Sequence, residues 1–300
     1  MNRVINFERI LCPVAQSHER DEGLQYAIAL ARSYGASLFV VTCSESSPLG
    51  EEEVAEARKA INRAVEHSFV LLPGIGKSPR LEWELVLTDG MPPADAIIRE
   101  AGLRKADLIV MSSRHRPYAV KFLGSTAETV SRTAPCPVLV TRSALKPNSV
   151  GAIRNLDLKK LLVASDFSEH SELALQYGLS LAQEYQSELH LLHVVSRSMG
   201  IENEIDWTSE REGPYHQAAR QLHESVPAEV HLWSSVTHVV REGNKPYREI
   251  ASYASEKDID LICIGAHGKG FQFGPLFGSN ADRLLRESPC PVLVVRPLKL

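Results

Sequence analysis

Ile264-Gly-Ala-His-Gly-Lys-Gly-Phe-Gln-Phe-Gly-Pro-Leu-Phe-Gly-Ser-Asn280 follows an apolar run and precedes a helical pattern. A strand that ends in a glycine-rich loop and feeds a helix is a candidate phosphate cradle. Gly265 would let the backbone turn as it leaves the strand, and Gly268 would let main-chain N–H groups approach a ligand with no Cβ in the way. Gly278-Ser279 would open a helix whose free N–H groups and positive dipole end favour an anion. Such a loop alone is a weak signal. It gains weight because the chain contains a second, altered copy.

Residue n set beside n+151 aligns Leu24-Gln25-Tyr26 with Leu175-Gln176-Tyr177 and Tyr34 with Tyr185. The offset becomes 153 where Asp107-Leu108-Ile109 meets Asp260-Leu261-Ile262, and 154 where Pro135-Cys-Pro-Val-Leu-Val140 meets Pro289-Cys-Pro-Val-Leu-Val294. So small a drift over 300 residues means a duplicated domain with short loop insertions. The predicted organisation is a domain over 1–145, a linker over 146–157 and a domain over 158–300.

Each copy alternates short apolar runs with longer helical patterns. In the second copy the strands are expected near 160–165, 188–194, 234–241, 260–265 and 291–295, with helices near 169–186, 213–225, 246–256 and 279–287. In the first, strands are expected near 9–14, 37–43, 82–88, 107–112 and 137–141. Near-continuous apolar strands alternating with helices argue an α/β fold with a parallel sheet covered on both faces. Doubly wound sheets bind ligands beyond the carboxyl ends of their strands, where the strand order switches. Asp166, after the first strand of the second copy, is then expected to share one crevice with the glycine loop.

With 44% hydrophobic and 23% charged residues the composition is that of a globular protein, and a net charge of −4 leaves no footprint for nucleic acid. No stretch of about 18 apolar residues suggests a membrane span, and a cytoplasmic location is expected. The five cysteines sit in apolar runs or in the two Pro-Cys-Pro segments, which favours small buried side chains over metal or disulfide roles.

In these residues the chain resembles a tandem universal stress protein, two such domains in one polypeptide. The nucleotide signature of that family, Gly-x2-Gly-x9-Gly-(Ser/Thr), matches Gly265, Gly268 and Gly278-Ser279. Leu162-Val-Ala-Ser-Asp-Phe-Ser168 and the Pro-Cys-Pro-Val-Leu-Val segments are similar to the family's as well. The resemblance implies two Rossmann-like doubly wound domains related by pseudo-two-fold symmetry, each with a five-stranded parallel sheet. It implies ATP or AMP as ligand, with Mg2+ as a candidate companion. Asp166 would accept from the adenine amino group, and Val194 would meet adenine through its backbone. Ala164 and Gly265 would lie by the ribose, with Ser165 beside them. Gly268, Gly278, Ser279 and Asn280 would hold phosphates, and His267 is either a phosphate contact or a solvated loop residue. In the first copy Ala15 replaces Asp166, and Ser112 and His115 replace the first two glycines. That copy is expected to have lost nucleotide binding, and its Arg114, His115, Arg116 and Lys121 read as a basic solvated loop, with attraction of an anion as the alternative.

Gly76-Lys77-Ser78 imitates a P-loop end but lacks the required first glycine, with Leu71 in its place. His190 and His193 are expected on opposite faces of a strand, so no metal site is assigned. Glu169 and His170 would be the place to look for zinc. No paired carboxylates or Ser-His-Asp set assembles from local spacing. Catalysis is not assigned, and any ATP hydrolysis is expected to be slow. The apolar fifth strands, Val138-Leu-Val140 and Val292-Leu-Val294, are expected to pair, giving an intrachain pseudo-dimer, with a homodimer open. The leading reading is a nucleotide-binding stress regulator read by a protein partner that the sequence does not identify. The alternatives are a weak, metal-assisted ATPase and a scaffold for a different small molecule. Lys269 to Gly274 reads as a flap over the phosphates.

Overall fold

The computed structural model describes residues 5–15, 21–44, 50–71, 81–113, 123–142, 156, 158–196, 213–268 and 277–298. Gly76-Lys77-Ser78, the basic residues 114–121, most of the expected linker and the 269–274 flap lie outside them. By contact the chain divides into two compact units, Met1–Asp157 with Pro291–Leu300, and Leu158–Cys290.

The first unit contains β1 (Arg9–Pro13), α1 (Glu22–Tyr34), β2 (Ser37–Cys43), α2 (Glu51–Leu71), β3 (Trp83–Thr88), α3 (Pro93–Leu103), β4 (Leu108–Ser113), α4 (Ser125–Thr133) and β5 (Val138–Arg142). Its strands run in the order β3-β2-β1-β4-β5, all parallel. A last strand, β10 (Val292–Val295), lies antiparallel on β5 with Val292 opposite Val140 and Val294 opposite Val138. The two apolar edges singled out in the sequence are therefore paired. Arg296, just past β10, is buried and donates to the carbonyls of Ser131, Arg132 and Ala134, the loose C-terminal end of α4.

The second unit contains β6 (Lys160–Ala164), α5 (Glu169–Tyr185), β7 (Glu188–Val195), α6 (Pro214–Ser225), a 3-10 turn (Ala228–Leu232), β8 (Val236–Glu242), α7 (Pro246–Glu256), β9 (Leu261–Gly265) and α8 (Ser279–Glu287). The parallel order is β9-β6-β7-β8. The chain steps outward from β6 to β8 and then returns past β6 to β9. With right-handed crossovers, the outward helices α5 and α6 lie on one face and α7 on the other. The central strands are apolar because both faces are covered: Leu161, Leu162, Val163, Leu261, Ile262 and Cys263 are all buried.

Local signals set the helix ends. Asp21 caps α1 by accepting from the Leu24 N–H at 3.1 Å, and Ser168 caps α5 in a reciprocal pair with Ser171. Both helices end on a left-handed residue at equivalent repeat positions, Gly35 with φ 71° and Gln186 with φ 55°. The side chain makes this conformation costly at Gln186 but not at Gly35.

At the corner formed by α6, the 3-10 turn and β8, the rings of His223, His231 and His238 gather with centroids 5.3 to 6.2 Å apart. Burial, then His223 and His231, holds the His238 pKa below its ordinary value. Burial likewise lowers that of His190, whose Nδ1 lies 2.7 Å from the Tyr253 hydroxyl.

Two outcomes follow for stability. Gln186→Gly is expected to stabilise the protein by about 0.5–1 kcal/mol in urea unfolding, by relieving the left-handed cap. The unfolded chain protonates His238 near its ordinary value of 6.5, whereas the folded chain resists until lower pH. This contribution is complete above pH 6.5 and is lost as pH falls below it. Glu22 works in the opposite sense, since burial and then Asp21 push it up to about 7. The test is the wild-type minus His238→Gln difference in urea midpoint, which should shrink between pH 7.5 and pH 5.5.

Candidate functional site

A cavity of about 200 Å³ opens at the carboxyl ends of β6, β7 and β9. Ala164 pairs in register with Leu192 on one side and Ile264 on the other, so the next residues of the three strands converge as its floor. All ten site residues expected from the sequence line it: Ala164, Ser165 and Asp166 after β6, Val194 on β7, Gly265, His267 and Gly268 after β9, and Gly278, Ser279 and Asn280 at the start of α8. Ser171, Leu192, His193, Pro246, Ile250, Ile264 and Ala281 complete the lining. Leu192 was readable in principle, because it shares a strand face with Val194. Pro246 and Ile250 carry no such signal, since they reach the cavity only through the return of α7 across the sheet.

The acid in the cavity is held firmly. Asp166 Oδ1 accepts from the Ser168 N–H at 3.1 Å and from the Ser168 hydroxyl at 2.6 Å. Phe167, between them, takes a left-handed φ of 60° and donates its N–H to Ser165 Oγ at 3.2 Å. Its ring lies against that of His193, with centroids 4.5 Å apart. His193 Nδ1 sits 2.8 Å from the Ser165 carbonyl. A carbonyl can only accept, so Nδ1 carries the proton. Among the described lining residues Asp166 is the sole carboxylate.

Gly265 acts differently from its sequence reading, which gave it a turn. Gly265 and Gly268 are absent from the left-handed region, where Gly35 and Gly90 are found. What they supply is room. A Cβ on Gly265 would stand 2.8 Å from the main chain of His170 in the first turn of α5, and one on Gly268 would strike Asp166 Oδ2. The loop closes where the Gly278 N–H donates to the Ala266 carbonyl at 2.9 Å. No side chain caps α8, and its first intrahelical bond is from Asp282 to Gly278. The N–H groups of Ser279, Asn280 and Ala281 therefore stand ahead of the helical ladder, on residues that line the cavity.

The first unit also brings helix against strand at a glycine, here on the helix and one turn further along in the repeat register. Gly23 of α1 lies against β4, where a Cβ would stand 2.7 Å from the Ser112 nitrogen. Ser112, at the position of Gly265, donates to Asp21 Oδ1 at 2.6 Å and accepts from the Gly23 N–H at 2.8 Å.

The histidines weighed for metal go separate ways. His190 meets Tyr253 and lies 3.3 Å from Glu188, while His193 turns to Ser165. The His170 ring lies 5.0 Å from that of His267. Among the described residues no three His, Cys, Asp or Glu groups are placed to hold a metal ion, and no helix is long and apolar enough to cross a membrane.

Against known proteins, the model of the Universal stress protein family matches residues 6–142 and 157–296. A universal stress protein of Methanocaldococcus jannaschii is 30% identical over 143 residues, covering 47% of this chain and 84% of the relative. The universal stress protein E homolog of Haemophilus influenzae is 22% identical over 318 residues, covering 98% of this chain and 99% of the relative. A solved universal stress protein of Archaeoglobus fulgidus superposes with a TM-score of 0.65 at 21% identity, covering 96% of this chain and 98% of that one. This last likeness is one of fold.

Gly265→Ala is expected to lower stability by about 1–3 kcal/mol, because the strand would meet the main chain of the first turn of α5, which cannot swing aside as a flexible side chain could. Gly102→Ala, in a helix with open space around it, should instead be stabilising by about 0.5–1 kcal/mol. Urea midpoints of the two variants check the contrast.

Proposed function

The chain belongs to the universal stress protein family, and from that premise we propose that it is a stress-response regulator whose second unit binds an adenine nucleotide. The observation that carries the reading is the start of α8. Three N–H groups ahead of the helical ladder belong to residues that line a cavity, together with a firmly oriented carboxylate and the half-buried end of β7. Phosphate suits the first, since main-chain donors and the helix dipole both favour an anion. Asp166 suits an amino donor such as that of adenine, because a carboxylate only accepts and Ser168 orients this one through Oδ1. Val194 would meet the base through its main chain, Ala164 and Gly265 would flank the ribose, and Gly268 and His267 would lie along the phosphates. Mg2+ brought with the nucleotide would take its oxygens from phosphate and water.

Ser168 fixes the one carboxylate in place, which supports binding over hydrolysis. Occupancy of this site would alter a surface read by another protein. The first unit, with Ala15 and Ser112 in place of Asp166 and Gly265, would serve without a nucleotide of its own.

A proline tests the carrying observation. Gly278 has φ −62° and ψ 131°, the extended conformation that a following proline requires, and Ser279 is the first helical residue, where proline is tolerated. Ser279→Pro therefore removes one donor while keeping α8. Calorimetry should show ATP and AMP binding to wild type and about tenfold or greater loss in Ser279→Pro, with the melting temperature held. Asp166→Ala should also weaken binding. Unchanged affinity in both variants would reject the site.

A further inference from the structure

Resting on that reading, we propose that Arg283 makes this site selective for nucleoside di- and triphosphates over monophosphates. Arg283 follows Ser279 by four residues on α8, and residues so spaced share a helix face. Helical side chains lean back toward the N-terminus, which turns this one toward the start of α8, where Ser279 and Asn280 line the cavity.

There its guanidinium lies 5.9 Å from the ring centroid of Tyr247, the residue after the cavity-lining Pro246. A second guanidinium, that of Arg248, lies 5.9 Å from the same ring, and its Nε donates to the Tyr247 hydroxyl at 3.1 Å. Two cations thus share one aromatic ring, each near the outer limit of a cation–π contact of about 6 Å.

Neither guanidinium has a carboxylate partner among the described residues. The acids next to them in sequence are engaged: Asp282 pairs with Arg286 at 3.1 Å, and Glu249 lies 4.0 Å from Arg241. Arg99, Arg104, Arg132 and Arg241 also have carboxylates within ion-pair distance. In a chain of net charge −4, two adjacent unpaired arginines are not a product of excess base.

An anion between them would remove their mutual repulsion, and guanidinium matches phosphate oxygens in bidentate fashion. A phosphate held at the first N–H groups of α8 would leave the next phosphates of a chain extending along the face that carries Arg283. A monophosphate ends before reaching it. Tyr247 acts as the positioning residue, and Arg248 adds a second positive charge at the same ring.

The experiment is calorimetry of ATP, ADP and AMP with wild type, Arg283→Gln, Arg283→Lys and the Arg248→Gln/Arg283→Gln double variant. Wild type should bind ATP and ADP at least about tenfold tighter than AMP. Arg283→Gln should weaken ATP by about tenfold and leave AMP within about twofold, with the double variant nearing equal affinities and lysine recovering part of the preference. AMP and ATP binding with a ratio that Arg283→Gln and the double variant leave unchanged would overturn this inference and spare the nucleotide site. Failure of every nucleotide to bind wild type would overturn both.

Discussion

The first turn of α5 can reach the carboxyl end of β9 because Gly265 has no side chain. Main chain meets main chain there, and that contact fixes where α5 begins relative to the sheet. Ser168 caps the same helix and grips Asp166, so the carboxylate is oriented by the packing of a helix it does not belong to. Gly268 then has to be a glycine as well, because Asp166 occupies the space its Cβ would take. The cavity is the volume left between these fixed parts and the start of α8. Its shape follows from close packing, with no appeal to unusual backbone angles at the glycines.

The alternation of strands and helices was legible because each strand is buried on both faces and so reads as a short apolar run. The helix beginning at 279 was placed to the residue by Gly278-Ser279. The ten cavity residues were legible for a related reason: a parallel sheet delivers the ends of its strands to one edge, and the sequence marks those ends. Other features depend on tertiary placement. Pro246 and Ile250 face the cavity only after α7 has crossed back over the sheet. The 3-10 turn at Ala228–Leu232 has no periodic pattern to announce it. For Gly265 the sequence suggested freedom to turn, whereas the structure needs its lack of volume; Gly268 was read for its missing Cβ, and it is Asp166 that takes up that space.

The duplicated halves bring the first turn of a helix against the end of a strand in two ways. In the second unit the strand gives up its side chain to the helix. In the first unit the helix gives up its own, at Gly23, and the strand keeps Ser112. The serine hydroxyl then joins Asp21 and the Gly23 N–H in a polar knot at the corresponding sheet edge. Burial beside that aspartate is also what raises the pKa of Glu22. Reverting Ser112 to glycine would therefore not recreate the other half's geometry, because the complementary surface has changed as well.

The pairing of β5 with β10 has a temporal side. Val140 and its partner Val292 are 152 positions apart, so β5 leaves the ribosome long before the strand that completes its edge. Until then the first unit carries an unpaired apolar border and an α4 whose final carbonyls await Arg296. At typical translation rates of about 5–20 residues per second, that border stays open for roughly 10–30 s. The half of the protein made first is the half finished last, and quality control during synthesis would meet it in that unfinished form.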